Sequence, residues 1–181
     1  MSRRRIGFAA RFAIVAGLLL SRPVVLAEPA TADAVLAEAA KAGRSAGRNT
    51  LVVFHASWCG WCRKLEAILS SPRVKEIVDR HYVQVELTVL ERGEKQALEN
   101  PGAEALMDSL AGGDAGLPFT AVLERKTKKP IATSNLSGPG TNVGFPAKAD
   151  EVDHFVGMLR RGAPGMSAAE AETIRAAFPV R

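Results

Sequence analysis

The sequence predicts an α/β fold in the order β-α-β-α-β-β-α, with one extra helix before this series and one after it. Three observations point there. Leu51-Val52-Val53-Phe54 is a short continuous apolar run, the pattern of a strand buried on both faces. Val83, Val85, Leu87 and Val89 alternate with Gln84, Glu86 and Thr88, the period of a half-buried strand. Between these two segments, Trp61, Leu65, Ile68 and Leu69 follow helical spacing. A length of 181 residues suits one domain and buries a core without a disulfide framework. With 47% apolar and 24% charged residues the chain is not mostly disordered.

The elements follow in order. Thr31 to Ala46 is Ala-rich with Val35, Leu36 and Ala39 on one side, and reads as the extra N-terminal helix, ended by Gly43, Gly47 and Asn49. Ser57 to Gly60 breaks the first strand from its helix. Ser71-Pro72 interrupts that helix, with Ser suited to an N-cap and Pro to the first helical position, so a second short helix runs to about Asp79. Glu94 to Leu110 is mostly helical, cut by Asn100-Pro101-Gly102. Phe119 to Leu123 and Ile131 to Ser134 flank a charged turn and read as a hairpin. Asn135 to Ala149 is a long Gly/Pro-rich loop, either a mobile surface excursion or a border of the site. Glu151 to Arg160 is a helix burying Val152, Phe155, Val156 and Leu159. Ser167 with Glu170 is a capping box that starts a last helix, reaching Ala177 and expected to cap the domain.

Residues 1–27 differ from the rest. They hold five of the 24 basic residues, Arg3, Arg4, Arg5, Arg11 and Arg22, and no acid, which leaves 19 basic against 19 acidic residues. The remainder is formally neutral, so the net charge of +5 does not support a nucleic-acid partner. A basic start, the apolar run Phe12 to Leu20 and Val25-Leu26-Ala27 form the pattern of a cleaved export signal. Arg22 and Pro23 interrupt the run early for a membrane span, although an uncleaved anchor is the other reading. The working chain is then 28–181, with its core at about 48–161 and a C-terminal helical extension at 163–181. It is expected in the periplasm, where cysteines meet oxidants.

Cys59-Gly60-Trp61-Cys62 carries the chemistry. Three residues are about one helical turn, so two sulfurs placed at the start of a helix lie on one side and can bond. The unpaired amides of a helix N-terminus favour a thiolate at Cys59, and Arg63 and Lys64 add positive potential. Thiols in such places have pKa values of about 3.5–7.5. Cys59 is the candidate attacking thiol and Cys62 the deeper, resolving one. Three other readings stay open. The pair could be an inert disulfide. Covalent haem needs His after the second Cys, where Arg63 stands. A zinc or copper site would have to recruit His55, His81 or His154, with no second C-x-x-C to complete it.

Trp58-Cys59-Gly60-Trp61-Cys62, preceded by a hydrophobic strand and Ala56, resembles the W-C-G-x-C motif of the thioredoxin family. The stretch Val52 to Glu66 resembles exported thioredoxin-like proteins in particular, as do the helix break at Ser71-Pro72 and the strand at Tyr82-Val83. Gly116-Leu117-Pro118-Phe119 is similar to the family's second landmark, a cis-proline before the third strand. The resemblance spans roughly residues 31–161. It implies a thioredoxin fold, with a mixed central sheet flanked by helices. It also implies a redox-active Cys59–Cys62 pair with no metal and no organic cofactor. Trp58, Gly60, Trp61, Leu117 and Pro118 would shape the substrate site, and the Leu117 backbone would pair with an extended substrate segment. The implied partners are protein thiols and disulfides and a membrane-bound thiol–disulfide electron donor. The implied activity is disulfide exchange, leading with reduction. A net oxidase or isomerase, or a copper-binding or partner-binding module without turnover, are the alternatives.

The chain departs from the family in three places. Val53 stands where thioredoxins carry a buried Asp that assists proton transfer, so another group or water takes the proton. Trp61 replaces the usual Pro between the cysteines, and Leu117 is bulkier than the Thr of several thiol oxidases. His55, just before the motif, is a candidate for tuning Cys59, as is Lys64, although a hydrogen-bonded His beneath the turn is the simpler reading. Glu66, four residues after Cys62, is expected on a solvated helix face, and His81 and His154 at the surface.

Overall fold

The computed structural model describes residues 28–113 and 115–180. The proposed export signal at 1–27 lies outside the described residues. The elements are α1 (Ala32–Ala46), β1 (Asn49–His55), α2 (Gly60–Leu69), α3 (Pro72–His81), β2 (Tyr82–Thr88), a 3₁₀ segment (Gly93–Leu98), α4 (Ala103–Ala111), β3 (Phe119–Leu123), β4 (Pro130–Thr133), α5 (Ala149–Gly162) and α6 (Ala168–Ala176). Among the described residues no helix is long and apolar enough to cross a membrane.

The four strands form one mixed sheet in the order β2-β1-β3-β4. β1 runs parallel to β2, with Val53 opposite Glu86, and antiparallel to β3, with Phe54 opposite Phe119. β3 and β4 are an antiparallel pair whose register shifts at Val122/Leu123. The apolar run of β1 has a plain cause: both faces of the sheet are covered. On one face Leu51 and Val53 pack with Leu65 of α2, Val78 of α3, Phe155 and Leu159 of α5 and Ile174 of α6. On the other, Val52 and Phe54 pack with Leu36 of α1 and Met107 of α4. Thr31 caps α1 by accepting the Ala34 amide, and Gly47 ends that helix at φ 70, a conformation glycine adopts without steric cost. At Gly162 the close of α5 leaves no room for a side chain: a Cβ would lie 2.4 Å from Val122 Cγ1 and 2.6 Å from the Tyr82 hydroxyl.

Several expectations need correction. β2 is an edge strand, so Val83 and Val85 are only half-buried, and the strand's fully buried side chains are Tyr82 and Leu87. Ser71 precedes α3 but makes no capping bond; its hydroxyl donates back to the Ile68 carbonyl at 2.7 Å. His81 and His154 are not free surface residues. His154 Nε2 lies 3.0 Å from the Thr133 carbonyl, because α5 crosses β4 there. His81 Nε2 lies 3.2 Å from Glu170 Oε1, because α6 returns over α3. Of the two readings left open for the long loop, the structure shows one that is bonded to the body. Asn135 Nδ2 and the Gly140 amide both donate to the Ala111 carbonyl, and Asn135 bridges to Asn142.

Glu170 joins α6 to the body. It completes the capping box with Ser167 and meets Arg80 and His81 of α3. The Ser167 amide and hydroxyl, then His81 and Arg80, hold its carboxyl down at about 2, from an ordinary 4.5. A pKa lowered by folding contributes stability that is fully present above the unfolded value and is lost as pH falls through the folded one. We therefore expect Glu170→Gln to lower the urea midpoint at pH 7, and to flatten the loss of stability between about pH 4.5 and about 2. Urea titrations across that range check this, and parallel curves for the two proteins would refute it.

Candidate active site

The site forms where β1 stops. Beyond His55 the chain turns through Ala56, Ser57 and Trp58, closed by the Cys59 amide donating to the Ala56 carbonyl at 3.0 Å. Cys59 is the N-cap of α2, and its sulfur accepts the Cys62 amide at 3.0 Å. The helix terminus thus directs an otherwise unpartnered N–H at the first sulfur, which is the arrangement that favours a thiolate there. Cys59 and Cys62 are joined as a disulfide, with Cα atoms 5.3 Å apart. Both are 4% exposed, so Cys62 is no deeper by exposure. They differ in what they face: Cys62 opens onto a small cavity under α2, which Cys59 does not line.

Three neighbouring segments converge on this turn. Leu117 packs against Ala56, Cys59 and Cys62, and the Leu117–Pro118 peptide is cis. Asn142, from the long loop, fixes the same segment. Its Nδ2 donates to the Gly116 carbonyl at 2.5 Å and the Pro118 carbonyl at 3.1 Å, while its Oδ1 accepts the Ser134 hydroxyl at 2.7 Å. Phe145 of that loop stacks on Trp61 at 5.4 Å and touches Phe178 beyond α6 at 5.9 Å. An aromatic chain therefore links the motif to the C-terminal extension. Lys64 Nζ lies 4.0 Å over the Trp61 ring, so its charge is engaged on the indole face. Trp58 and Trp61 are 43% and 49% exposed, large apolar rings beside the disulfide and suited to contact a partner chain.

The third segment follows β2. Glu91 is a buried acid, 5% exposed, whose Oε1 accepts the Ser57 amide at 2.5 Å and whose Oε2 accepts the Ser57 hydroxyl at 2.8 Å. Burial pushes its carboxyl up, but the two bonds from Ser57, with Lys95 and His55, outweigh that and hold it below the ordinary value. Lys95 donates to the Ser57 hydroxyl at 3.1 Å, and Arg63 donates to the Ser57 carbonyl at 2.9 Å. Trp58 Nε1 donates to the Leu90 carbonyl at 2.6 Å, with Arg92 4.2 Å over its ring. Leu90 holds φ 55, a left-handed conformation uncommon for a branched residue. His55 ends β1 with its Nε2 3.4 Å from Thr88 Oγ1 and 4.0 Å from Glu86 Oε2.

The structure thus brings together Trp58, Gly60, Trp61, Leu117 and Pro118 around the Cys59–Cys62 pair, with His55 beneath the turn. Glu91, Asn142 and Phe145 escaped the sequence reading. The only signal for Glu91 was its place just after an alternating strand, and an acid there reads as surface. Among the described residues no group of three or more His, Cys, Asp or Glu side chains is placed to hold a metal ion.

A family profile described as Thioredoxin-like matches residues 31–124, and the chain belongs to that family. No curated protein matches it. Among solved structures it is similar to a disulphide isomerase from Xylella fastidiosa Temecula1, at 26% identity over 64% of this chain and 80% of that one, with a TM-score of 0.46. It is similar to a DsbH oxidoreductase at 22% identity over 91% and 94%, with a TM-score of 0.45. A thioredoxin from Thermus thermophilus shares 20% identity over 74% and 85%, with a TM-score of 0.43.

Removing the Glu91 carboxylate leaves the Ser57 amide without its acceptor. Glu91→Ala is expected to cost about 1–3 kcal/mol of stability, and Glu91→Gln, which keeps an acceptor oxygen, distinctly less. Urea unfolding of the oxidised proteins measures both. Equal stability of Glu91→Ala and the parent would show that this carboxylate does not hold the turn.

Proposed function

We propose that the protein is an exported thiol–disulfide oxidoreductase that reduces disulfides in other proteins. The observation that carries this reading is the Cys59–Cys62 pair at the N-terminus of α2, with the Cys62 amide aimed at the Cys59 sulfur. In the reduced protein the Cys59 thiolate attacks a substrate disulfide, forming a mixed disulfide and releasing one substrate thiolate. Cys62 then attacks the Cys59 sulfur; the internal disulfide forms and the second substrate thiolate leaves. Two electrons pass from the dithiol to the substrate. The exposed rings of Trp58 and Trp61 and the backbone at Leu117-Pro118 receive an extended substrate segment. A membrane-bound thiol–disulfide donor returns the electrons, and the chemistry needs no metal or organic cofactor. Export rests on the pattern of residues 1–27. The reducing direction rests on the resemblance to exported thioredoxin-like chains and on a compartment where oxidants are plentiful.

Two measurements test this reading. Cys62→Ser is expected to accumulate mixed disulfides through Cys59 in the cell envelope, released by dithiothreitol; if it traps nothing there, exchange is not the function. Equilibration with glutathione is expected to give a potential near that of thioredoxin, about −270 mV. A value near −120 mV would make the protein a disulfide donor instead.

A further inference from the structure

Resolution of the mixed disulfide requires Cys62 to lose a proton, and the cavity under α2 shows where that proton can go. This cavity, about 230 Å³, is lined by Cys62, Arg63 and Glu66 of α2, by Val53 and His55 of β1, by Ala56 and Ser57 of the turn, and by Glu86 of β2. Most of its wall is apolar, but His55, Ser57, Arg63, Glu66 and Glu86 bring polar groups to it, and it has room for several waters. Of the two β1 residues that line it, Val53 cannot accept a proton. Glu86 is the residue in register beside Val53, so its carboxylate stands on the same face of the sheet, under the helix that carries Cys62. The His55 ring lies 4.0 Å from Glu86 Oε2 on that face.

We propose that Glu86 accepts the Cys62 proton through cavity water, with the His55 ring beside the carboxylate. The inference rests on the oxidoreductase reading above. In this step the Cys62 S–H bond breaks, water passes the proton to the Glu86 carboxylate, and the Cys62 sulfur attacks Cys59 Sγ. The Cys59–Cys62 bond forms, the bond from Cys59 to the substrate breaks, and the substrate sulfur leaves with the electron pair. When the product has gone, the Glu86 carboxyl returns its proton to solvent, which its half-exposed position allows. The charged groups around Glu86 are His55 from β1, Arg63 and Glu66 from α2, and Lys75 and Asp79 from α3; the last two are already paired with each other. Glu66 is the competing carboxylate. It lines the same cavity a turn beyond Cys62, on the helix rather than in register beside Val53.

Stopped-flow tryptophan fluorescence of the reduced protein mixed with oxidised glutathione separates the two steps. Attack by Cys59 is second order overall, its rate rising in proportion to the probe concentration, and resolution by Cys62 is first order. Glu86→Gln is expected to slow the first-order phase about tenfold or more at pH 7 while changing the second-order phase less than about twofold. Its first-order rate should then climb about tenfold per pH unit, as for a thiol ionising unaided below about 8.5, where the parent rate stays nearly level. Glu86→Asp should recover part of the rate, because water bridges the shorter side chain. A first-order phase unchanged in Glu86→Gln, or slowed only in Glu66→Gln, overturns the role of Glu86. A parent protein that shows neither phase overturns the oxidoreductase reading and this inference together.

Discussion

Everything in this structure hangs on β1 being enclosed on both faces. Its seven residues lie between β2 and β3, with α2, α3, α5 and α6 over one side and α1 and α4 over the other. A strand so placed cannot shift register without moving apolar side chains out of both cores. Its end is therefore a fixed point, and the turn that follows inherits that rigidity. The two cysteines lie on this turn and the first turn of α2, where the helix terminus supplies an amide to the Cys59 sulfur. The same arrangement that makes a stable sheet centre thus also aims a helix N-terminus at a thiol.

Rigidity at the end of β1 is not enough to define a site, because the turn itself is exposed at Ser57 and Trp58. The turn is held from outside by groups far off in sequence. Glu91 grips Ser57, Leu90 receives the Trp58 indole, and Leu117 covers the sulfurs. Asn142 holds the segment around Leu117-Pro118 by its carbonyls, and Phe145 gives Trp61 a stacking partner. The long loop and the C-terminal helix are consequently part of the architecture around the motif. The aromatic chain from Trp61 through Phe145 to Phe178 makes that continuity physical.

Much of this was legible in the sequence, and for identifiable reasons. Leu51 to Phe54 announces a doubly buried strand because no polar residue interrupts it, and Ser167 with Glu170 announces a helix start because that pairing satisfies amides locally. The C-x-x-C spacing is set by one helical turn, so the disulfide geometry is local too. What failed were features decided by long-range packing. Ser71 offers capping chemistry, yet its hydroxyl turns back to Ile68. His81 and His154 look like surface residues until α6 and the β3–β4 hairpin close over them. For the Asn135 to Ala149 loop, composition left a mobile excursion and a border of the site both open; side-chain bonds pin it to Ala111, Gly116 and Pro118.

The sequence alone determined the element order, the reactive pair and its place at a strand-to-helix turn, because each depends on neighbours within one or two turns of chain. Only the tertiary structure decided which acids surround that pair. Glu91 becomes the buried anchor of Ser57, and Glu86 faces the cavity behind Cys62, because the parallel pairing of β1 with β2 sets residues some thirty positions apart side by side. Nothing in the local sequence distinguishes either of them from an ordinary surface glutamate. A carboxylate's role follows from what it faces, and that is fixed by register and packing across the sheet.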